Sequence, residues 1–118
     1  MTEHLVDVTD TAAAIGSGDV PCLGTPRLLA WFEAETCDLS QALIGEAQTT
    51  VGTAVELEHL APSGVGSIVK ISASIREFND RWLDYDVSAM EPGSGRLLAR
   101  ATITRAIVDR HQFLSRLG

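Results

Sequence analysis

The spacing of apolar residues changes once along this chain, from helical to alternating, and that change limits the possible folds more than any other feature. Between Thr25 and about Leu43, the apolar residues Leu28, Leu29, Phe32, Leu39 and Leu43, widened by Trp31 and Thr36, fall on one side of a helix. Thr25-Pro26 predicts the start, with Thr as N-cap and Pro at the first helical position, and Gly45 lies just beyond the end. From Val51 the period becomes two. Val51, Thr53, Val55, Leu57 and His59 are predicted to form one face of a strand, and Gly52, Ala54, Glu56 and Glu58 the other. Three more alternating segments follow: Val65 to Phe78, Trp82 to Met90 and Leu97 to Val108. They are separated by Asn79-Asp80 and Pro92-Gly93-Ser94-Gly95, and Pro62-Ser63-Gly64 precedes the first. A short strand is expected within Leu5 to Ile15, and the residues after Val108 are expected to fray or cover a strand edge. The predicted order is a strand, one long helix and four strands in a meander. This is an α+β fold with the helix packed against an antiparallel sheet of about five strands.

The chain has 118 residues, which fits a single domain over 1–118. Hydrophobic residues make up 45%, enough for a core and too many for disorder. A domain of this size buries only about two thirds of its extended-chain surface. A broad apolar sheet face is then left over, so a homodimer, or a tetramer, is expected. The formal charge of -7 argues against nucleic acid and anionic membranes as partners. An anionic small molecule is still compatible, because local arginines can outweigh the global sign. Cys22 and Cys37 are too few for a disulfide framework and lack metal spacing, so no metal is expected and both read as free thiols. The first ten residues carry acids rather than a basic leader, and no stretch has the length of a membrane span, so a cytoplasmic location is expected. No Gly-rich phosphate motif follows a strand.

Thr25, Glu33 and His59 are the candidate chemistry. Taken singly, each has an ordinary explanation: a helix cap, a partly exposed helix residue and a histidine satisfied by backbone. Together they are more informative. Glu33 lies at a margin of the helical stripe, and His59 shares the parity of Val55 and Leu57, so both address whatever lies between helix and sheet. Thr25 and Glu33 are about 12 Å apart in helix rise and are not expected to touch within one helix. They address different parts of a substrate or face groups from a partner subunit. No base is visible beside the Thr25 hydroxyl, so it is expected to position rather than to attack.

Two segments carry a family resemblance: Leu23-Gly24-Thr25-Pro26-Arg27-Leu28-Leu29-Ala30-Trp31-Phe32-Glu33 and Thr50-Val51-Gly52-Thr53-Ala54-Val55-Glu56-Leu57-Glu58-His59. With them the chain resembles hot-dog-fold acyl-coenzyme A thioesterases, and most closely the fluoroacetyl-coenzyme A thioesterase group. That group has a Thr, a Glu eight residues later and a His 26 residues after the Glu, and Thr25, Glu33 and His59 keep both intervals. The resemblance implies these three as catalytic residues. It implies that the Gly52 N–H binds the thioester carbonyl, and it makes Arg105 the match to an arginine that meets coenzyme A. Arg105 also fits a structural salt-bridged role by its parity with Ile103 and Ile107. The implied activity is hydrolysis of an acyl-coenzyme A thioester to acid and thiol, with no cofactor beyond the coenzyme A of the substrate. A hot-dog hydratase and a non-catalytic acyl-thioester binder are the alternatives. Before the helix, Ile15-Gly16-Ser17-Gly18-Asp19 has no aromatic where the fluoroacetyl enzyme has a phenylalanine lid.

Overall fold

A computed structural model describes residues 1–118. Strand β1 (Thr2–Leu5) is followed by a 3-10 turn and the one-turn helix α1 (Ala12–Ile15). Helix α2 (Thr25–Ser40) comes next, then strands β2 (Gln48–His59), β3 (Ile68–Phe78), β4 (Trp82–Met90) and β5 (Leu97–Asp109), and finally helix α3 (Arg110–Ser115). The first strand therefore ends at Leu5 and does not lie within Leu5–Ile15, most of which turns into short helix. The terminal residues fold as α3, capped by the Asp109 carboxylate on the Gln112 N–H.

All five strands form one antiparallel sheet in the order β1-β3-β4-β5-β2. It curves around α2 as a half-barrel, which is the hot-dog fold. Only β3-β4-β5 is a meander. The expected hairpin between β2 and β3 does not form, and β2 lies at the far edge beside β5. The hydrogen bonds of residues 60–67 explain this. The Leu60 and Ala61 N–H groups both donate to the Leu98 carbonyl, the Ser63 carbonyl accepts from Leu23, and Val6 donates to the Ser67 carbonyl and accepts from the Gly66 N–H. Pro62-Ser63-Gly64 is thus part of a strap running across the end of the sheet, not a tight turn.

Helix α2 begins one residue earlier than the sequence suggests. Gly24 is the N-cap, Thr25 is the first helical residue, and no side chain caps the N–H groups. The helix ends at Ser40 and tightens into a 3-10 turn through Leu43. Its buried stripe is Leu28, Phe32, Glu35, Thr36 and Ser40, while Leu39 and Leu43 are exposed. Leu28 and Phe32 meet Ile71, Leu83, Tyr85 and Ile103 in one core cluster. Each such burial contributes about 1.5–3 kcal/mol. The polar half of the stripe is satisfied. Ser40 Oγ lies 2.7 Å from Tyr85 Oη, and Thr2 donates to Glu35 at 2.6 Å. Glu35 is therefore a buried anchor for β1.

In β2 the predicted faces hold only in part. The pairing with β5 shifts register between Gly52 and Ala54, which makes a bulge at Thr53. Cross-strand partners share a face. Thr50 and Gly52 oppose Ile107 and Arg105, whereas Val55, Leu57 and His59 oppose Ile103, Ala101 and Ala99. Buried Arg105, Ile103, Ala101 and Ala99 mark the helix side. Val51 and Thr53 therefore belong to the outer face, and Gly52 joins His59 beneath the helix.

Candidate active site

The five candidate residues form two groups. At the N-terminal end of α2, Thr25 Oγ1 lies 2.8 Å from His59 Nδ1. With Gly24 as the cap, the Thr25 hydroxyl is free of the helix backbone and engages the imidazole, so a base does lie beside it. The Nε2 atom of His59 is buried and has no hydrogen-bond partner. Burial holds the His59 pKa below the ordinary imidazole value of 6.5, with the Ala61 backbone opposing the shift. The ring is thus neutral near pH 7, and which nitrogen carries the proton sets the donor in the Thr25 contact.

This pair lines a cavity of about 420 Å³, together with Ala12, Asp19, Val20, Cys22 and Leu60. A larger depression, about 830 Å³, lies across the sheet among Glu56, Glu58, Ser72, Asp86 and Arg100. It contains none of the five candidates, and its polar side chains are those of an outer sheet face.

Two turns along α2, Glu33 is 38% exposed, so its carboxylate is partly open to solvent. Its Oε2 lies 3.6 Å from Arg105 Nη1. A Cβ on Gly52 would collide with the same oxygen. The missing side chain of Gly52 therefore makes room for Glu33 itself. Arg105 is buried, and it donates through Nε to Thr50 Oγ1 at 2.9 Å and through Nη2 to the Thr50 carbonyl at 3.2 Å.

Within one protomer, then, Thr25 and His59 sit together, Glu33, Gly52 and Arg105 sit together, and the two groups are separated by about two helical turns. Thr50 was not legible as a site residue. Only the bulge places it on the helix side, and nothing in a strictly alternating reading signals a bulge. No group of three or more His, Cys, Asp or Glu side chains is arranged to hold a metal ion. No helix is long and apolar enough to cross a membrane.

Comparison with known proteins agrees with this architecture. The family described as FlK, fluoroacetyl-CoA-specific thioesterase, matches residues 6–111. No curated protein matches the chain in sequence. A solved structure of the fluoroacetyl-CoA thioesterase FlK superposes with a TM-score of 0.89 at 19% identity, covering 98% of this chain and 89% of that one. A hot-dog-like protein from Thermanaerovibrio acidaminovorans gives 0.87 at 19% identity, covering 98% and 84%. A Thermus thermophilus member of the thioesterase superfamily gives 0.88 at 20% identity, again covering 98% and 84%. At such identities the superpositions speak for the fold, and the family match, which spans nearly the whole sequence, speaks for descent: the chain belongs to the FlK family of hot-dog-fold thioesterases.

Proposed function

We propose that the protein hydrolyses an acyl-coenzyme A thioester to a carboxylic acid and coenzyme A thiol, in sites shared between two copies of the chain. The observation that carries this reading is the 2.8 Å contact between Thr25 and His59 Nδ1, in an open cavity and with His59 Nε2 left unpartnered. A buried ring nitrogen without a partner is costly unless a substrate group meets it.

Glu33 supplies the carboxylate that acts on the thioester carbon, as nucleophile or as base toward water. The carbonyl oxygen gains charge as the carbon becomes tetrahedral, and the Gly52 N–H is its donor. The C–S bond then breaks, and the leaving thiolate takes a proton. Glu33 passes on to the thiolate the proton drawn from water, and the neutral His59 ring donates a hydrogen bond from Nε2 while Nδ1 accepts from Thr25. Water supplies the hydroxyl of the acid, so one water is consumed for each thiol released.

Thr25 and Glu33 lie too far apart on one helix to act on a single thioester carbonyl. A homodimer resolves this by setting Glu33 of one protomer against Thr25 and His59 of the other. The β2 edge supports such pairing, because its outer side has no neighbouring strand.

The test is thiol release from short, branched, aromatic and long acyl-coenzyme A esters. Wild-type protein is expected to release thiol, and Glu33→Gln to lose roughly 10³-fold in turnover while still folding and binding substrate. A variant that hydrolyses at the wild-type rate removes Glu33 from the chemistry. Binding without thiol release by the wild type leaves an acyl-thioester carrier instead.

A further inference from the structure

We infer that Arg105 is a positioning residue for the Glu33 carboxylate and does not grip the phosphates of coenzyme A. The inference rests on the proposed role of Glu33. A phosphate ligand must present its guanidinium to solvent, whereas Arg105 is 6% exposed. Two of its nitrogens are committed to Thr50, at 2.9 Å and 3.2 Å, which fixes the plane of the fork. The third, Nη1, is buried without a hydrogen-bond acceptor and is aimed at Glu33 Oε2 at 3.6 Å. A buried guanidinium nitrogen left unmatched is unfavourable, and an adjacent carboxylate offsets that cost. Gly52 completes the cradle. It is the cross-strand partner of Arg105, and Glu33 Oε2 occupies the space where its Cβ would stand. Thr50 and Gly52 share a face by alternation, and the pairing of Gly52 with Arg105 sets all three on the same side of the sheet. Thr50 holds Arg105, Arg105 faces the carboxylate, and Gly52 lets the carboxylate lie close against the strand. The side chain is thereby aimed before any substrate arrives, which is what a group attacking or activating within about 3 Å requires.

The two roles separate kinetically. Acyl-coenzyme A is compared with the same acyl group on pantetheine, which lacks the nucleotide. For Arg105→Lys, positioning predicts a kcat loss on the order of a hundredfold, equal on both thioesters, with KM little changed. Thr50→Val keeps the charge and removes only the anchor, and is expected to lose several-fold in kcat on both. Wild-type kcat in both variants, or a raised KM confined to acyl-coenzyme A, overturns the inference. Carbon NMR of the Glu33 carboxyl reads the contact without turnover. Its resonance is expected to move in Thr50→Val and Arg105→Lys and to stay in the exposed control Arg110→Gln. An unmoved resonance also overturns the inference. A wild-type protein that releases no thiol, but whose Glu33 resonance answers to Arg105, refutes the hydrolase reading and leaves the contact standing.

Discussion

A methyl group added at Gly52 would meet the Glu33 carboxylate oxygen before any backbone atom. The far end of a flexible side chain yields easily, so Gly52→Ala is expected to cost less than about 1 kcal/mol in stability while abolishing most turnover. Thermal melting and thiol release check the two halves of that statement. Gly24 is the opposite case. A Cβ there would come within 2.7 Å of Ile15 Cδ1 and 3.1 Å of the Ala12 backbone, so the neighbours that must move belong to the packed α1 turn. Gly24→Ala is expected to destabilise by about 1–3 kcal/mol, read from denaturant midpoints. His59 and His4 set the pH response of stability. Burial lowers both pKa values below 6.5, so the unfolded chain takes up protons that the native rings resist. Native stability therefore falls as pH drops through 6.5, and His59→Gln is expected to weaken that dependence and leave the share of His4. Activity that needs the neutral ring should show an acid limb with its midpoint below 6.5 in kcat/KM. A midpoint above 6.5 would contradict the buried, neutral ring.

Helix α2 shows how a local signal can be correct in place and wrong in purpose. Thr25-Pro26 marks the helix start because Pro is tolerated where no N–H is needed. The same dipeptide suggests that Thr25 caps, yet Gly24 takes that place and the hydroxyl turns to His59. Replacing a capping Thr costs about 1 kcal/mol. Thr25→Val is therefore expected to change stability by clearly less than that while reducing turnover, and a full cap-sized loss on melting would restore the capping role. Strand β2 carries the complementary lesson. Gly52 and His59 are seven residues apart, an odd interval that places them on opposite faces of a regular strand. The one extra residue at the bulge brings both beneath the helix. Alternation was legible because side-chain burial repeats every two residues. The bulge was not, because it answers to the partner strand and leaves no local mark in Thr50-Val51-Gly52-Thr53-Ala54.

At one edge of the sheet lies the 12-residue strand β2, with one side unpaired. Long open edges invite pairing with another chain. If two copies join there and share their sites, inactive variants with lesions in different halves will complement. Co-refolding equal amounts of Glu33→Gln and His59→Gln is expected to recover about a quarter of wild-type activity, since half the dimers then carry one intact site. No recovery, with dimers seen by light scattering, would place each site within a single protomer. The long helix, the alternating strands and the Thr25, Glu33 and His59 intervals were all set by the sequence alone, because each rests on local periodicity or spacing. Tertiary structure decided the far-edge position of β2, the shared face of Gly52 and His59, and the turn of Arg105 toward Glu33. These depend on hydrogen bonds across long separations, such as the 55 residues between Thr50 and Arg105. Such partners become neighbours only when the sheet closes around its helix.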